Sequence, residues 1–263
     1  MTHQLSRGIP APVCIAGVPV HPIRLQELLL WLSQRLSLQQ QTVVMYCNVY
    51  AVNIAQRHQT FRAAMKKADI IFCDGYGVRI AATLLQRRVP ERFTPPDWID
   101  QLLALCAQNH YRIFLLGGKP GVATGAIERL HRRFPEVQMT AHHGYFACDG
   151  NDNAGVLRAI HTYAPHILLV GMGMPRQEEW IYANQAYLSV PLIMTVGALF
   201  DYLAEEVPRG PRWLTDNGFE WLCRLIIEPR RLWRRYLLGN PYFAWLVARQ
   251  MLHAIMRYPQ KKK

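Results

Sequence analysis

The sequence predicts an α/β fold: a mostly parallel sheet with helices on both faces, followed by a basic helical appendage. Three observations carry this expectation. Short apolar runs alternate with stretches of helical period from Val43 to about Val196; nearly every run closes on Gly, Asn or Asp; and the alternation stops after Pro208, where basic amphipathic segments take over.

Arg24–Leu38 has helical period, and Thr42–Cys47 is a short, continuously apolar run, as expected of a strand buried on both faces. Thr60–Lys67 reads as a helix and Asp69–Cys73 as the next strand, closing on Asp74-Gly75. Val78–Gln86 and Asp97–Gln108 are helical, and the Pro-rich loop Pro90–Asp97 separates them. Arg112–Leu116 is a third strand; Gly117-Gly118-Lys119-Pro120 turns it into the helix Gly121–Phe134. The strands Gln138–Ala141, Ile167–Val170 and Leu192–Val196, with the helices Asn153–Tyr163 and Pro175–Tyr187, complete the pattern. The small or polar residues after the strands mark their carboxyl ends, where open α/β sheets bind ligands. Residues 1–207 are thus expected to form the core, and 208–263 an appendage of two or three helices broken at Pro229 and Pro241.

Composition narrows the function classes. With 51% hydrophobic and 18% charged residues, the chain is too apolar for a disordered segment. Lys and Arg exceed Asp and Glu by 12, and nine Arg and three Lys against three acidic residues from Arg209 onward place most of the excess in the appendage. No run approaches the roughly 18 to 20 apolar residues of a membrane span, and the first residues lack a basic and apolar secretory signal, so a cytoplasmic location is expected. The six cysteines form no C-x-x-C pair and read as reduced thiols rather than a zinc site or a disulfide frame.

Several residues stand where chemistry is done. Gly117-Gly118 and Gly171-Met-Gly173 each follow a strand and open a helix, so each is either an anion-binding corner or simply a tight turn. Asp74 ends an apolar strand, a place for a general base and equally for a helix N-cap; Asn48 ends its neighbour and could orient a sugar hydroxyl or cap a helix. Arg92, in the Pro-rich loop, is a candidate partner for a leaving phosphate. His142-His143 point apart on a strand, and Asp149-Gly-Asn-Asp152 has turn composition, so no metal is required. In the appendage Arg224, Arg231 and Arg234 are seven and three residues apart, near one face if the helical phase survives Pro229; the interleaved Trp, Leu and Arg also suit an anionic membrane interface. A nucleic-acid-binding protein is disfavoured because the basic residues are confined to the appendage and no DNA or RNA motif is present, and a Rossmann-type oxidoreductase because no G-x-G-x-x-G opens the first βα unit.

Taken in order, Asn48, Ala68-Asp-Ile-Ile-Phe-Cys-Asp74-Gly75, Leu115-Leu-Gly117-Gly118-Lys119-Pro120, Gly144-Tyr145-Phe146, Gly171-Met-Gly173-Met-Pro175-Arg176-Gln177-Glu178, Val196-Gly197-Ala-Leu-Phe200-Asp201 and Arg209-Gly-Pro211 leading into Glu220-Trp221-Leu-Cys-Arg224-Leu-Ile-Ile-Glu228-Pro229-Arg230-Arg231 resemble the WecG/TagA/CpsF family of bacterial glycosyltransferases, from about Gly17 to Arg235. The resemblance implies a Rossmann-like core and an inverting, metal-independent, cofactor-free transfer of a hexose-type sugar. The donor would be a UDP-sugar and the acceptor a polyprenyl-diphosphate-linked saccharide at the cytoplasmic face of the inner membrane.

It implies Asp74 as the base, Arg92 as an active-site cation, and Asn48 and Gln177 lining the sugar pocket. Asp201 would lie near the uridine, Gly117, Gly118, Gly171 and Gly173 would border the nucleotide, and Arg224, Arg231 and Arg234 would complete the site from the appendage, docked on the anionic membrane. Where members often have Thr two residues before the pocket Asn, this chain has Tyr46. Among the family's donors, glucose for exopolysaccharide assembly is favoured on overall likeness, with N-acetylmannosamine or its uronate as the alternative. Homo-oligomerisation is left open.

Overall fold

The computed structural model describes residues 9–208, 210, 214, 218 and 220–257. Arg209, Pro211, Trp213 and Lys261–Lys263 lie outside the described residues.

An antiparallel hairpin, β1 (Val13–Ile15) and β2 (Val18–Val20), precedes the alternating pattern. Its two-residue turn, Ala16-Gly17, has both φ angles positive, the backbone that matches strand twist in a hairpin. Helix α1 (Leu25–Ser37) buries Leu28, Leu32 and Leu36, one stripe at i, i+4 and i+8, each contributing about 2 kcal/mol of apolar burial. There follow β3 (Thr42–Cys47), α2 (Val49–Ala55), α3 (Gln59–Lys67), β4 (Ile70–Cys73), α4 (Tyr76–Leu84) and α5 (Pro95–Asn109). Thr94 and Asp97 form a reciprocal cap on α5, the Thr94 N–H donating to Asp97 Oδ2 at 2.8 Å, with Pro95 in the first turn. The core then runs through β5 (Ile113–Gly117), α6 (Val122–His131), β6 (Met139–His142), α7 (Gly150–Tyr163), β7 (Ile167–Gly171), α8 (Arg176–Asn184), β8 (Leu192–Thr195) and α9 (Leu199–Leu203). Each predicted strand and helix of the core is present to within a few residues; the hairpin, α2 and α9 are additions.

The six long strands form one parallel sheet in the order β4-β3-β8-β7-β5-β6. All but the edge strand β6 are buried along their length, which is why they read as unbroken apolar runs. The helices after β3, β6 and β7, whose connections all move toward the β4 edge, pack on one face; α5 and α6, on connections that move the other way, pack on the opposite face with α1 and α9. Opposite directions using opposite faces is what a uniform crossover hand demands.

The appendage comprises α10 (Glu220–Ile227), α11 (Pro229–Trp233), a π-helical turn at Arg234–Leu238 and α12 (Gly239–Arg257). The break expected at Pro229 is real: Glu228 leaves helical geometry at φ −128°, ψ 58°, and Pro229 starts the next helix. The break expected at Pro241 is absent. The helix instead continues from the π-helical turn through Pro241 to Arg257, and the proline is taken up immediately after that wider turn. Helix α12 packs back on the core: Phe243, Leu246 and Val247 are buried in the cluster that holds the hairpin and α2, Asn53 Nδ2 donates to the Gly239 carbonyl at 2.8 Å, and Gln250 bridges the hairpin by accepting from the Ala16 N–H at 2.7 Å and donating to the Cys14 carbonyl at 2.9 Å. Among the described residues no helix is long and apolar enough to cross a membrane.

Candidate functional site

Parallel pairing sets the site. Cys47 and Cys73 are register partners at the ends of β3 and β4, so Asn48 and Asp74 emerge at the same level. The Asp74 N–H donates to the Cys47 carbonyl at 2.9 Å, and Asn48 Nδ2 donates to Asp74 Oδ2 at 3.2 Å. The other end of the Asn48 amide caps α2 by accepting from the Ala51 N–H at 3.1 Å. Of the two roles open to each of these residues, Asn48 is a cap and Asp74 is not: Gly75 occupies the N-cap place of α4. Arg92 extends the sheet beyond β4 through a bridge to Cys73, and its guanidinium lies 5.1 Å over the Tyr76 ring.

A crevice opens here because the chain leaves β3 toward one face, into α2, and leaves the adjacent β8 toward the other, into α9. It has two chambers. One, of about 250 Å³, is walled by Tyr46, Thr94, Gly173, Gly197, Tyr202 and Arg231 among others. The second, of about 470 Å³, runs between α4 and α12 and is mostly apolar. Asn48, Tyr50, Asp74, Arg224 and Arg235 line both, so they stand where the chambers meet.

The appendage cations differ from expectation in one place. Arg224 reaches the junction with its guanidinium 5.9 Å over Tyr202, and Arg231 lines the smaller chamber while paired with Glu228. Arg234 lines neither; it stacks on Trp233 at 5.2 Å. Arg235 takes the place instead, 4.2 Å over the Tyr50 ring. It lies four residues after Arg231 and so near the same helical face, a spacing already present in the sequence.

The remaining expected residues sit behind the chamber walls. Gln177 is fully buried: its Nε2 donates to Glu178 Oε1 at 2.7 Å and to the Tyr46 hydroxyl at 3.3 Å, and its Oε1 accepts from the Gly197 N–H at 3.1 Å. It therefore meets the crevice through Tyr46 and Gly197. Burial pushes the Glu178 carboxyl up to about 7 and raises the Tyr46 hydroxyl well above its usual range, so both are neutral, hydrogen-bonded groups at moderately acid pH. Asp201 is half-buried in the first turn of α9; burial raises its pKa, against the nearby Arg231 and Arg224 guanidiniums.

Gly173 lines the smaller chamber, whereas Gly117, Gly118 and Gly171 line neither. Their reason is packing: a Cβ on Gly117 would lie 2.2 Å from the Gly171 carbonyl oxygen, and one on Gly171 would lie 2.8 Å from that of Gly197. His142 Nδ1 engages the His143 carbonyl at 2.8 Å, the structural reading of that pair, and among the described residues no group of three His, Cys, Asp or Glu is arranged to hold a metal ion. All six thiols are free, with Cys73 pushed up to about 12 by burial.

A strand-end carboxylate held by an amide, faced by two arginines across a crevice, can take a proton from a hydroxyl on one side and stabilise an anion on the other. The family model described as "Glycosyl transferase WecG/TagA/CpsF family" matches residues 13–256. The chain belongs to this family. It is accordingly a glycosyltransferase. Similar proteins include N-acetylglucosaminyldiphosphoundecaprenol N-acetyl-beta-D-mannosaminyltransferases of Staphylococcus aureus. Those of strains MRSA252 and NCTC 8325 are each 31% identical over 206 residues, covering 78% of this chain and 79% of theirs. That of strain MW2 is 30% identical over the same span.

Proposed function

We propose that the protein transfers N-acetylmannosamine, with inversion, from its UDP conjugate to an N-acetylglucosaminyl diphosphate carried on a polyprenol. The relatives' activity supports this donor over the glucose favoured by overall likeness. The observation that carries the reading is the position of Asp74, at the meeting of a polar chamber and an apolar one, with Arg224 and Arg235 lining the same junction.

In this reading the nucleotide sugar occupies the smaller chamber and the acceptor enters from the larger. Asp74 accepts the proton of the acceptor hydroxyl as its oxygen bonds to the anomeric carbon, and the bond to the UDP oxygen breaks. Asn48, through its bond to Asp74 Oδ2, holds the carboxylate in place at the junction. The departing diphosphate gains negative charge, which Arg231 on the wall of the smaller chamber is placed to neutralise, while Arg92 lies on the acceptor side. Tyr46 brings a phenol to the sugar-binding wall, and Gln177 and Glu178 set its orientation from behind.

The acceptor is a membrane lipid, and the appendage supplies a means of reaching it at the cytoplasmic face of the inner membrane. Ile226, Trp245, Leu252, Ile255 and Met256 are each more than half exposed, on a segment that carries most of the net positive charge. Apolar side chains beside arginines are the composition of an interfacial helix on anionic lipid.

The test is UDP release by the purified protein with UDP-N-acetylmannosamine or UDP-glucose, each with a polyprenyl-diphosphate-linked N-acetylglucosamine or glucose acceptor, with and without EDTA. Acceptor-dependent release from the N-acetylmannosamine pair, unchanged by EDTA, is the expected result; release only with UDP-glucose returns the glucosyl reading. Asp74→Asn is expected to lower turnover about 10³-fold while UDP still binds. Near-normal turnover in that variant removes Asp74 from the role of base.

A further inference from the structure

The larger chamber is a groove with a chemical polarity along its length. Of its four charged lining residues, Asp74, Arg224 and Arg235 stand at the junction with the smaller chamber, and Arg92 bridges to Cys73, the neighbour of Asp74. From there it runs between α4 and α12, past Ile80, Leu84, Ala244, Ala248 and Met251, with no charged side chain among the lining residues on these two helices. Gly77 faces Phe243 near the charged end. The far end lies toward the β1–β2 hairpin, which both α4 and Gln250 touch.

Two further observations bear on the occupant. Ile80 and Leu84 are 57% and 51% exposed, although they line a concave surface, so the groove leaves apolar side chains in contact with water. Arg235 Nε is buried and without a hydrogen-bond partner among the described residues, while its guanidinium is held over Tyr50 at the charged end. An apolar trough that begins at a cluster of arginines is complementary to a molecule with a hydrocarbon chain on an anionic head.

We infer that this groove binds the first isoprene units of an isoprenoid diphosphate, the chain lying between α4 and α12 and the diphosphate meeting Arg224 and Arg235. Its biological meaning rests on the transferase reading, since the ligand would be the lipid end of the acceptor. Met251 is the last lining residue on α12, and the exposed apolar residues Leu252, Ile255 and Met256 follow it on the same helix, where the rest of a longer chain can pass into a bilayer. Recognition would therefore include the lipid as well as the sugar and phosphates.

The test is a binding measurement that needs no turnover: calorimetric titration of the full chain with farnesyl diphosphate, below its micellar concentration, and with inorganic pyrophosphate. Farnesyl diphosphate is expected to bind at least tenfold more tightly. Ala248 and Ala244 are exposed on the groove side of α12, so Ala248→Trp or Ala244→Trp fills the trough without entering the core. Each is expected to abolish the preference for the farnesyl ligand and leave pyrophosphate binding unchanged, with the fold confirmed by circular dichroism. Arg235→Ala is expected to weaken both ligands alike. Equal affinities in the wild-type protein, or a preference that survives both Trp variants, overturn the inference. So does a dimer that dissociates on Ala248→Trp without any farnesyl preference, which would assign the groove to a second copy. Failure of UDP release with the preference intact would instead sink the proposed donor and acceptor and leave the groove assigned.

Discussion

Asn48 holds two obligations in one amide: its oxygen ends a helix and its nitrogen restrains Asp74. Exchanging it for Asp keeps the cap but removes the donor and sets a second carboxylate beside Asp74, so Asn48→Asp is expected to depress turnover at neutral pH and to shift the acid limb of the pH–rate profile upward. Arg235→Ala should lower turnover at least tenfold, and Arg234→Ala should stay close to wild type; steady-state rates on the two variants separate the arginine at the crevice from the one stacked on Trp233. Glu178 makes a prediction in pH. Its folded pKa of about 7 lies above the ordinary 4.5, so the native state holds its proton longer than the unfolded chain does. The stability this adds is complete below pH 4.5 and is lost as pH rises through 7, a change on the order of 3 kcal/mol. Denaturant midpoints at pH 5 and pH 8 should therefore differ less in Glu178→Gln than in the wild-type protein; equal differences would show that the burial of this carboxyl is not felt. At this scale Asp74 and Asn48 were legible as polar residues closing apolar strands, but not which of them caps a helix, since the sequence allows a cap at either place. Gln177 was legible as important but not as hidden, since burial of an amide leaves no mark in the sequence.

Among the elements, the three strand ends β5, β7 and β8 are drawn together by glycine. With a Cβ placed 2.2 Å from the Gly171 carbonyl oxygen, Gly117→Ala must push two strands apart and is expected to cost about 3 kcal/mol or more, read as a fall in the denaturant midpoint. If the variant were as stable as the wild type, the corners would have another purpose, and the anion-binding reading would regain ground. The core strands were legible from their continuous apolar runs, whereas α5 starts at Pro95 rather than at the expected Asp97, because proline fits the first turn of a helix as well as a loop. The hairpin was not, because three-residue strands on either side of Ala16-Gly17 are too short for a period to register. The appendage phase escaped for a different reason. A non-helical Glu228 breaks the phase between Arg224 and the later arginines, so spacing could not relate them across it, although the four-residue step from Arg231 to Arg235 was there to be read.

Across the whole molecule, charge and apolar exposure are concentrated on the appendage, while the sheet core is close to neutral. Replacing Leu252 and Ile255 by Glu removes exposed apolar surface from α12 without touching Phe243, Leu246 or Val247, which anchor it. This double variant is expected to stay folded yet to lose co-sedimentation with anionic vesicles; retained binding would place membrane contact elsewhere. The clamp that anchors α12 also has a consequence in time. Gln250 joins Cys14 and Ala16 across separations of 236 and 234 residues, so the groove is closed only when a helix made late in the chain meets a hairpin made at its start. During synthesis the sheet can assemble while α12 is still inside the ribosome, but the trough and its arginines cannot. A nascent chain would thus carry strand ends that lack the appendage walls of both chambers, and the crevice would be completed in a single late step.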